Sequence, residues 1–235
     1  MRTAFLTYDA PHLKTEQVLL RRYDNAHRSA KSDDLLVILP FSKRPERKIF
    51  FPHRPNQAAA AHPEDIARHM RMEVIRVESS EAVPKGMNRY VVLGAGLLPD
   101  ELVERQSVLN AHPGLIPECR GLDSFKWALL EGKRIGVTLH RLSPEIDMGE
   151  VLFRQETPLF SSDTLEAFAR RHYENEIELL AHFERFLGEP WPADPAVAGA
   201  ATRRMSYEEE RDLSSCFERY KVERLGELDY PNRKT

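Results

Sequence analysis

Asn110 and His112 stand two residues apart at the end of an apolar run, and Pro113 follows at once. In an extended chain, residues i and i+2 project to the same side. Both side chains can therefore reach one pocket at a strand end, and Pro113 stops the ladder there. The Asn110 amide offers a neutral donor for a carbonyl oxygen that is gaining negative charge. The His112 imidazole adds a second donor, or moves a proton near neutral pH. Farther on, Asp147 stands in a turn just before Gly149, where glycine permits tight backbone geometry. A carboxylate there can orient His112 and accept a proton. Asn, His and Asp together are a minimal set for passing an acyl group to an amine without a covalent enzyme intermediate.

The same residue types have plainer readings. Asn and His at a strand end often satisfy turn backbone groups. His112, His140 and Asp147 could form a metal set, but their spacing matches no established metal motif, and no metal is expected. His140 reads as a structural strand residue, Cys119 beside Arg120 as a loop thiol, and Phe125 and Trp127 as core.

The elements around these residues are α/β in pattern. Arg2 to Tyr8 is apolar and β-rich, and Asp34 to Phe41 is a continuous apolar run of the buried parallel kind. Met72 to Glu78 alternates as a strand. A strand, a glycine turn and a short helix from about Pro99 account for Arg89 to Arg105. Helical segments are expected over Thr15–Arg28, Pro63–Arg71 and Gly121–Gly132. Two strands joined by the short turn holding Asp147 form a hairpin. The clearest helix follows, with Asp163 as its expected cap and Glu166 three residues on. Its apolar residues Leu165, Phe168, Ala169, Ile177 and Leu180 repeat at helical spacing. Alternating strands and helices argue for a mainly parallel sheet, whose sites lie beyond the carboxyl ends of its strands. Residues 1–188 are expected to be one catalytic domain. Residues 189–235, Pro- and Ala-rich at their start, are expected to be a C-terminal extension of loop plus short helix.

Bulk properties narrow the function classes. The 235 residues suffice for a real core. A net charge of -3 gives no electrostatic reason to expect nucleic acid. The mean hydropathy is -0.51, and no apolar run approaches the roughly 20 residues of a membrane span. The apolar patch at the N-terminus is too short for a signal peptide. Cys119 and Cys216 lie far apart and read as free thiols of a cytoplasmic protein. The basic stretch from Lys43 to Arg54 reads as a solvated loop, with contact to a phosphate or diphosphate as the functional alternative.

Taken together, Asn110, His112, Pro113, Pro117, Arg120, Gly121, Gly136, Val137, Thr138, Asp147 and Gly149 resemble the motif set of the folate-dependent formyltransferases. The resemblance covers roughly Arg89 to Leu187. It implies a Rossmann-like fold and 10-formyltetrahydrofolate as formyl donor. It implies that Asn110 and His112 polarise the formyl group and that Asp147 holds His112 and helps take the amine proton. The pterin would lie against Leu93, Gly94, Ala95, Gly96, Leu97 and Leu98 on one side and Ser143, Glu145 and Ile146 on the other. Phosphoribosylglycinamide enzymes of this family carry a glycine-rich phosphate loop after the first strand, whereas this chain reads TYDAPHLKT there. Methionyl-tRNA enzymes add a long C-terminal domain. The resemblance is closest to stand-alone sugar N-formyltransferases, which implies the amino group of a sugar nucleotide as acceptor and leaves room for a homodimer. Formylation of hydroxyornithine and a non-catalytic folate or nucleotide-sugar binder are the alternatives.

Overall fold

The computed structural model describes residues 2–24, 34–42, 47–188 and 198–229. Seven strands form one sheet: β1 (Thr3–Tyr8), β2 (Leu35–Leu39), β3 (Glu73–Arg76), β4 (Arg89–Val92), β5 (Val108–His112), β7 (Gly136–Arg141) and β8 (Val151–Glu156). Their order is β3-β2-β1-β4-β5-β7-β8. The first five run parallel, β7 pairs antiparallel with β5, and β8 pairs antiparallel with β7. A separate pair joins β6 (Arg120–Gly121) to β9 (Ala201–Thr202). The helices are α1 (Leu13–Asp24), α2 (Pro63–His69), α3 (Asp100–Arg105), α4 (Ser124–Leu130), α5 (Leu165–Ala181), α6 (Tyr207–Glu210) and α7 (Leu213–Asp229).

Strand alternation sorts the apolar residues into two cores, one per sheet face. Phe5, Leu36, Ile38, Val91, Leu109, Ala111, Val137 and Leu139 pack with α1, α2 and α5. Ala4, Leu6, Leu35, Val37, Tyr90 and Val108 pack on the opposite face with Leu102 of α3. All five residues of β2 are buried, which explains why its sequence is an unbroken apolar run. A third cluster joins Phe125, Ala128 and Leu129 of α4, Leu165 and Phe168 of α5, and Leu213, Phe217 and Tyr220 of α7.

Three details differ from the sequence reading. The cap of α5 is Thr164, whose side chain accepts from the Ala167 N–H. Asp163 instead accepts from the Phe160 N–H and pairs with Arg171, because a neighbouring guanidinium holds a carboxylate more strongly than one amide does. The C-terminal extension carries a 17-residue helix rather than a short one, and its Leu213, Phe217 and Tyr220 share a cluster with α4 and α5. The residues from Asn25 to Arg28, expected to end the first helix, lie outside the described residues, as do Glu189 to Val197 of the Pro-rich segment.

Candidate active site

The two-faced sheet explains why the reactive side chains meet. Leu109 and Ala111 of β5 enter the core under α5, so Asn110 and His112 must project from the other face. Val137 and Leu139 of β7 do likewise, which turns Thr138 and His140 to the face of Asn110 and His112. The antiparallel register sets Asn110 opposite His140 and His112 opposite Thr138. The turn after β7 then returns Asp147 to the same place.

The resulting contacts are specific. Asn110 Nδ2 lies 3.3 Å from His140 Nε2. Asp147 Oδ2 lies 3.3 Å from His112 Nδ1, and Oδ1 lies 4.0 Å from His140 Nε2. The Gly121 N–H donates to Asp147 Oδ2 at 2.8 Å. His112 Nε2 lies 2.9 Å from the Cys119 carbonyl and 3.1 Å from Ser124 Oγ. Ser124 itself donates to the Gly121 carbonyl. A carbonyl only accepts, so His112 Nε2 carries a hydrogen and Nδ1 faces the carboxylate. Thr138 locks the exit loop by donating to the Gly114 carbonyl and accepting from the Ile116 N–H, at 2.7 and 3.0 Å. Gly114 cannot be larger: a Cβ there would lie 2.7 Å from His112 Nε2 and 2.6 Å from the Cys119 carbonyl. Gly149 has the same role for the Asp147 turn, since its Cβ would lie 1.6 Å from the Arg141 carbonyl. Asp147 adopts φ 49°, a left-handed conformation that Asp tolerates better than most residues.

His140 is the residue that the sequence reading passed over as structural. It is fully buried and holds one N–H of the Asn110 amide, which leaves the second N–H free to donate elsewhere. Its signal was its register partner, and pairing register is not visible in one strand. Burial, helped by neighbouring His112 and opposed by Asp147, pushes the His140 pKa down to about 4, so it accepts from Asn110 as a neutral ring. Burial also lowers the pKa of His112, against the pull of Asp147. His172, whose ring packs on Phe125 and bonds Thr157, is likewise pushed down to about 4 by burial.

These shifts carry a stability consequence. His140 and His172 bind protons near the ordinary histidine value of 6.5 when unfolded, but only near 4 when folded. The unfolded chain therefore holds more protons between those values, and stability falls as pH drops through that window. Each ring contributes up to about 1.4 kcal/mol per pH unit there. We expect Tm to decline by at least several degrees from pH 7 to pH 5; a flat Tm over that range in a thermal-melt series would contradict the burial of neutral rings.

The residues expected at the pterin divide into two groups. Leu93 and Gly94 are buried; Leu93 is part of the core, and Gly94 lies under the rings of Tyr8 and His12, where a Cβ would come within 2.7 and 2.8 Å. Ala95 gives its carbonyl to the Tyr8 hydroxyl. Gly96 is exposed, and Leu97 is 90% exposed beyond it, with Leu98 half-buried. Across the site Ile146 is 59% exposed, Glu145 is exposed, and Ser143 donates to the Glu145 carbonyl. Apolar side chains thus stand uncovered at the carboxyl end of β4 and on the Asp147 turn. Among the described residues, no group of three or more His, Cys, Asp or Glu side chains is arranged to hold a metal ion. No described helix is long and apolar enough to cross a membrane.

The basic stretch before the site is tied to the protein itself. Arg47 reaches Glu210 and the Met205 carbonyl, Lys48 sits over the Tyr207 ring, and Arg54 pairs with Glu176 at 2.7 Å. Arg44 lies outside the described residues. Lys14 pairs with the other oxygen of Glu176, also at 2.7 Å, in a buried cluster between α1 and α5.

Known proteins agree with this geometry. Residues 54–183 match the formyl transferase family. A dTDP-4-amino-4,6-dideoxyglucose formyltransferase of Mycobacterium bovis is 28% identical over 146 residues, which is 60% of this chain and 62% of that protein. A methionyl-tRNA formyltransferase of Koribacter versatilis is 30% identical over 112 residues, 46% of this chain and 35% of that one. The chain thus spans less than two thirds of the length of these relatives. Among solved structures, a 4-N formyltransferase from Francisella tularensis superposes with a TM-score of 0.57 at 15% identity, covering 91% of this chain and 86% of that one. A phosphoribosylglycinamide formyltransferase from Anaplasma phagocytophilum gives 0.55 at 19% identity, covering 77% and 82%. The mainly parallel sheet is therefore the Rossmann-like formyltransferase architecture. The family match takes in more than half of the residues and contains the whole β5–β8 constellation just described, and by it the chain belongs to the formyl transferase family.

Proposed function

We propose that this protein moves a formyl group from 10-formyltetrahydrofolate to a primary amine, and that the amine belongs to a nucleotide-linked amino sugar. The observation that carries the reading is the Asn110 amide: one N–H is turned to His140, and the side chain shares a sheet face with the Asp147–His112 pair, so the second N–H is the donor proposed for the formyl oxygen. The donor, when bound, supplies an activated one-carbon acyl group. The uncovered Leu97 and Ile146, with Leu98, fit the flat apolar face of a pterin and would hold it. Asn110 donates to the oxygen that gains charge. His112 has its Nε2 hydrogen committed to Cys119 and Ser124, so it acts through Nδ1. Nδ1 and Asp147 Oδ2 face each other 3.3 Å apart and together form a seat for the proton leaving the attacking amine.

Two observations support the acceptor class. One is the similarity to the dTDP-amino-sugar enzyme over 146 residues. The other is the first turn of α1. Its Leu13 and Lys14 N–H groups donate to the carbonyl and side-chain oxygens of Gln57 at 2.8 and 3.1 Å. A helix start with its amides already engaged is a poor cradle for a terminal phosphate, which disfavours phosphoribosylglycinamide. Arg47, Lys48 and Arg54 already contact other parts of the protein, so the diphosphate of such an acceptor would be held by other groups.

The reading is tested with purified protein, 10-formyltetrahydrofolate and a panel of amines: 3-amino and 4-amino deoxysugar nucleotides, hydroxyornithine and glycinamide ribonucleotide. Tetrahydrofolate release with a sugar nucleotide supports it. Release only with another amine keeps the reaction and discards the acceptor, and silence across the panel leaves folate binding without catalysis as the better account. The proton seat makes its own prediction. Because burial holds His112 below the ordinary value of 6.5, the seat is empty at neutral pH and fills only in acid. The acid limb of kcat/KM should fall below pH 6.5. Asp147→Asn removes the charge that raises the His112 pKa, so it should move the limb lower still while cutting kcat by about 10²–10⁴, the usual range for losing general acid–base catalysis. An unchanged profile in Asp147→Asn would remove the seat from the mechanism.

A further inference from the structure

The C-terminal segment from Gly199 to Met205 runs along the loop that holds Asp147. The Gly199 N–H donates to the Pro117 carbonyl at 2.9 Å, and the Leu122 N–H to the Thr202 carbonyl at 2.8 Å. The Thr202 hydroxyl lies 2.8 Å from the Arg120 carbonyl and 2.7 Å from that of Leu122. Trp127 Nε1 donates to the Arg203 carbonyl at 2.7 Å, and the Met205 N–H to Asp123 at 3.0 Å. Contact is so close that both sides need glycine: a Cβ on Gly121 would lie 2.4 Å from the Thr202 backbone, and one on Gly199 would lie 2.3 Å from the Glu118 carbonyl.

The far side of the same loop is the site. Gly121 gives its N–H to Asp147 Oδ2. Arg120 donates to the Ile146 carbonyl through Nε and Nη2 at 3.0 and 2.6 Å, and to the Gly199 carbonyl through Nη1 at 3.2 Å. One guanidinium therefore ties the C-terminal segment to the residue before Asp147. Two adjacent loop residues bond the C-terminal segment on one side and the Asp147 turn on the other.

We propose that the strand Ala201–Thr202 is a clamp that sets the position of Asp147 against His112, with Thr202 and Arg120 as its positioning residues. Cys119 anchors the middle of the loop 117–121 in the cluster beside α4, and its Arg120–Gly121 end, next to Asp147, needs a constraint of its own. The clamp supplies that constraint from residues about 80 positions later in the chain, outside the span of the family match. Its catalytic consequence rests on the formyl-transfer reading; its effect on the Gly121 amide does not.

Thr202→Val removes the hydroxyl and keeps the shape. Its expected result is faster exchange of the Gly121 amide with solvent deuterium, by about tenfold or more, as local opening becomes easier. With the best amine of the panel, kcat should fall by roughly 10–100-fold from misplacement of the proton seat, while KM for the folate donor stays within about twofold. Thr202→Ser should restore both. If Thr202→Val does not fold, Arg120→Lys serves instead: it keeps the charge but cannot span the Ile146 and Gly199 carbonyls, and the same readouts apply. Wild-type Gly121 exchange in the variant overturns the clamp, and faster exchange with unchanged kcat overturns its link to catalysis. A wild-type protein silent on every amine defeats the proposed reaction, and the exchange measurement still decides the clamp.

Discussion

Asn110→Ala is expected to lower kcat by about 10²–10³ while leaving fold and folate affinity in place, the usual loss when one oxyanion donor is removed from a preorganised site. Several features lead to a loss of this size. The amide is held in one orientation by His140, so its open N–H needs no reorganisation as charge develops. His112 cannot substitute for it, because its Nε2 hydrogen is already engaged by the Cys119 carbonyl and Ser124. Asn110 is half-buried at a strand end, and its loss leaves no large cavity. His140 would lose its partner, but a neutral ring with a pKa near 4 is not left as an unpaired charge. Steady-state kinetics with a folate-binding titration separate the two quantities. Near-normal kcat in Asn110→Ala would end the assignment, and a parallel collapse of folate binding would mean that the residue shapes the donor site instead.

Glu176→Ala is expected to destabilise the protein by about 3–5 kcal/mol, because it strands a buried ammonium without its partner. Lys14 and Glu176 have side chains 9% and 1% exposed, and they meet at 2.7 Å. Arg54 takes the other carboxylate oxygen. Burial opposes the charge on Glu176, yet Arg54 and Lys14 hold its carboxyl down at about 2. A chain of this size loses roughly 2–4 °C of Tm per kcal/mol, so a fall of about 10 °C or more should appear in thermal melts. Lys14→Met combined with Glu176→Leu should recover much of the loss, since two apolar groups of similar volume often replace a buried pair without net cost. A Tm within 2–3 °C of wild type for Glu176→Ala, about what 1 kcal/mol produces, would mean that solvent reaches Lys14.

Much of the fold could be read from single strands and helices. The run Asp34–Phe41 is apolar on both sides because β2 is covered on both faces, and the Asn-x-His-Pro and Asp-x-Gly stretches contain side chains that the structure brings together. What the sequence concealed belongs to partners distant along the chain. His140 reads as an ordinary alternating strand residue until the β5–β7 register sets it against Asn110. Glu176 falls at a core-facing helical position, which local spacing would assign to an apolar residue; only the packing of α1 and the Arg54 loop on α5 explains a carboxylate there. The basic stretch reads as a solvated loop because the counter-charges of Arg47 and Arg54, Glu210 and Glu176, stand more than a hundred residues away. The C-terminal segment looked like a tether for the same reason: it carries little apolar pattern near Gly199, and its bonds are backbone bonds that composition does not encode.

The strand order has a consequence for exchanging parts between relatives. All the proposed chemistry lies on β5, β7 and the turn between β7 and β8, to one side of β4, while β1, β2 and β3 lie on the other. The two sides meet through the β4–β5 ladder and through Glu176, which binds Lys14 and Arg54 from the N-terminal part. A chimera joined between β4 and β5 would therefore inherit the proposed chemistry and the β1–β3 side of the sheet from different parents. It would also inherit the charge balance at positions 14, 54 and 176, and grafts matched at those three positions are the ones that should fold.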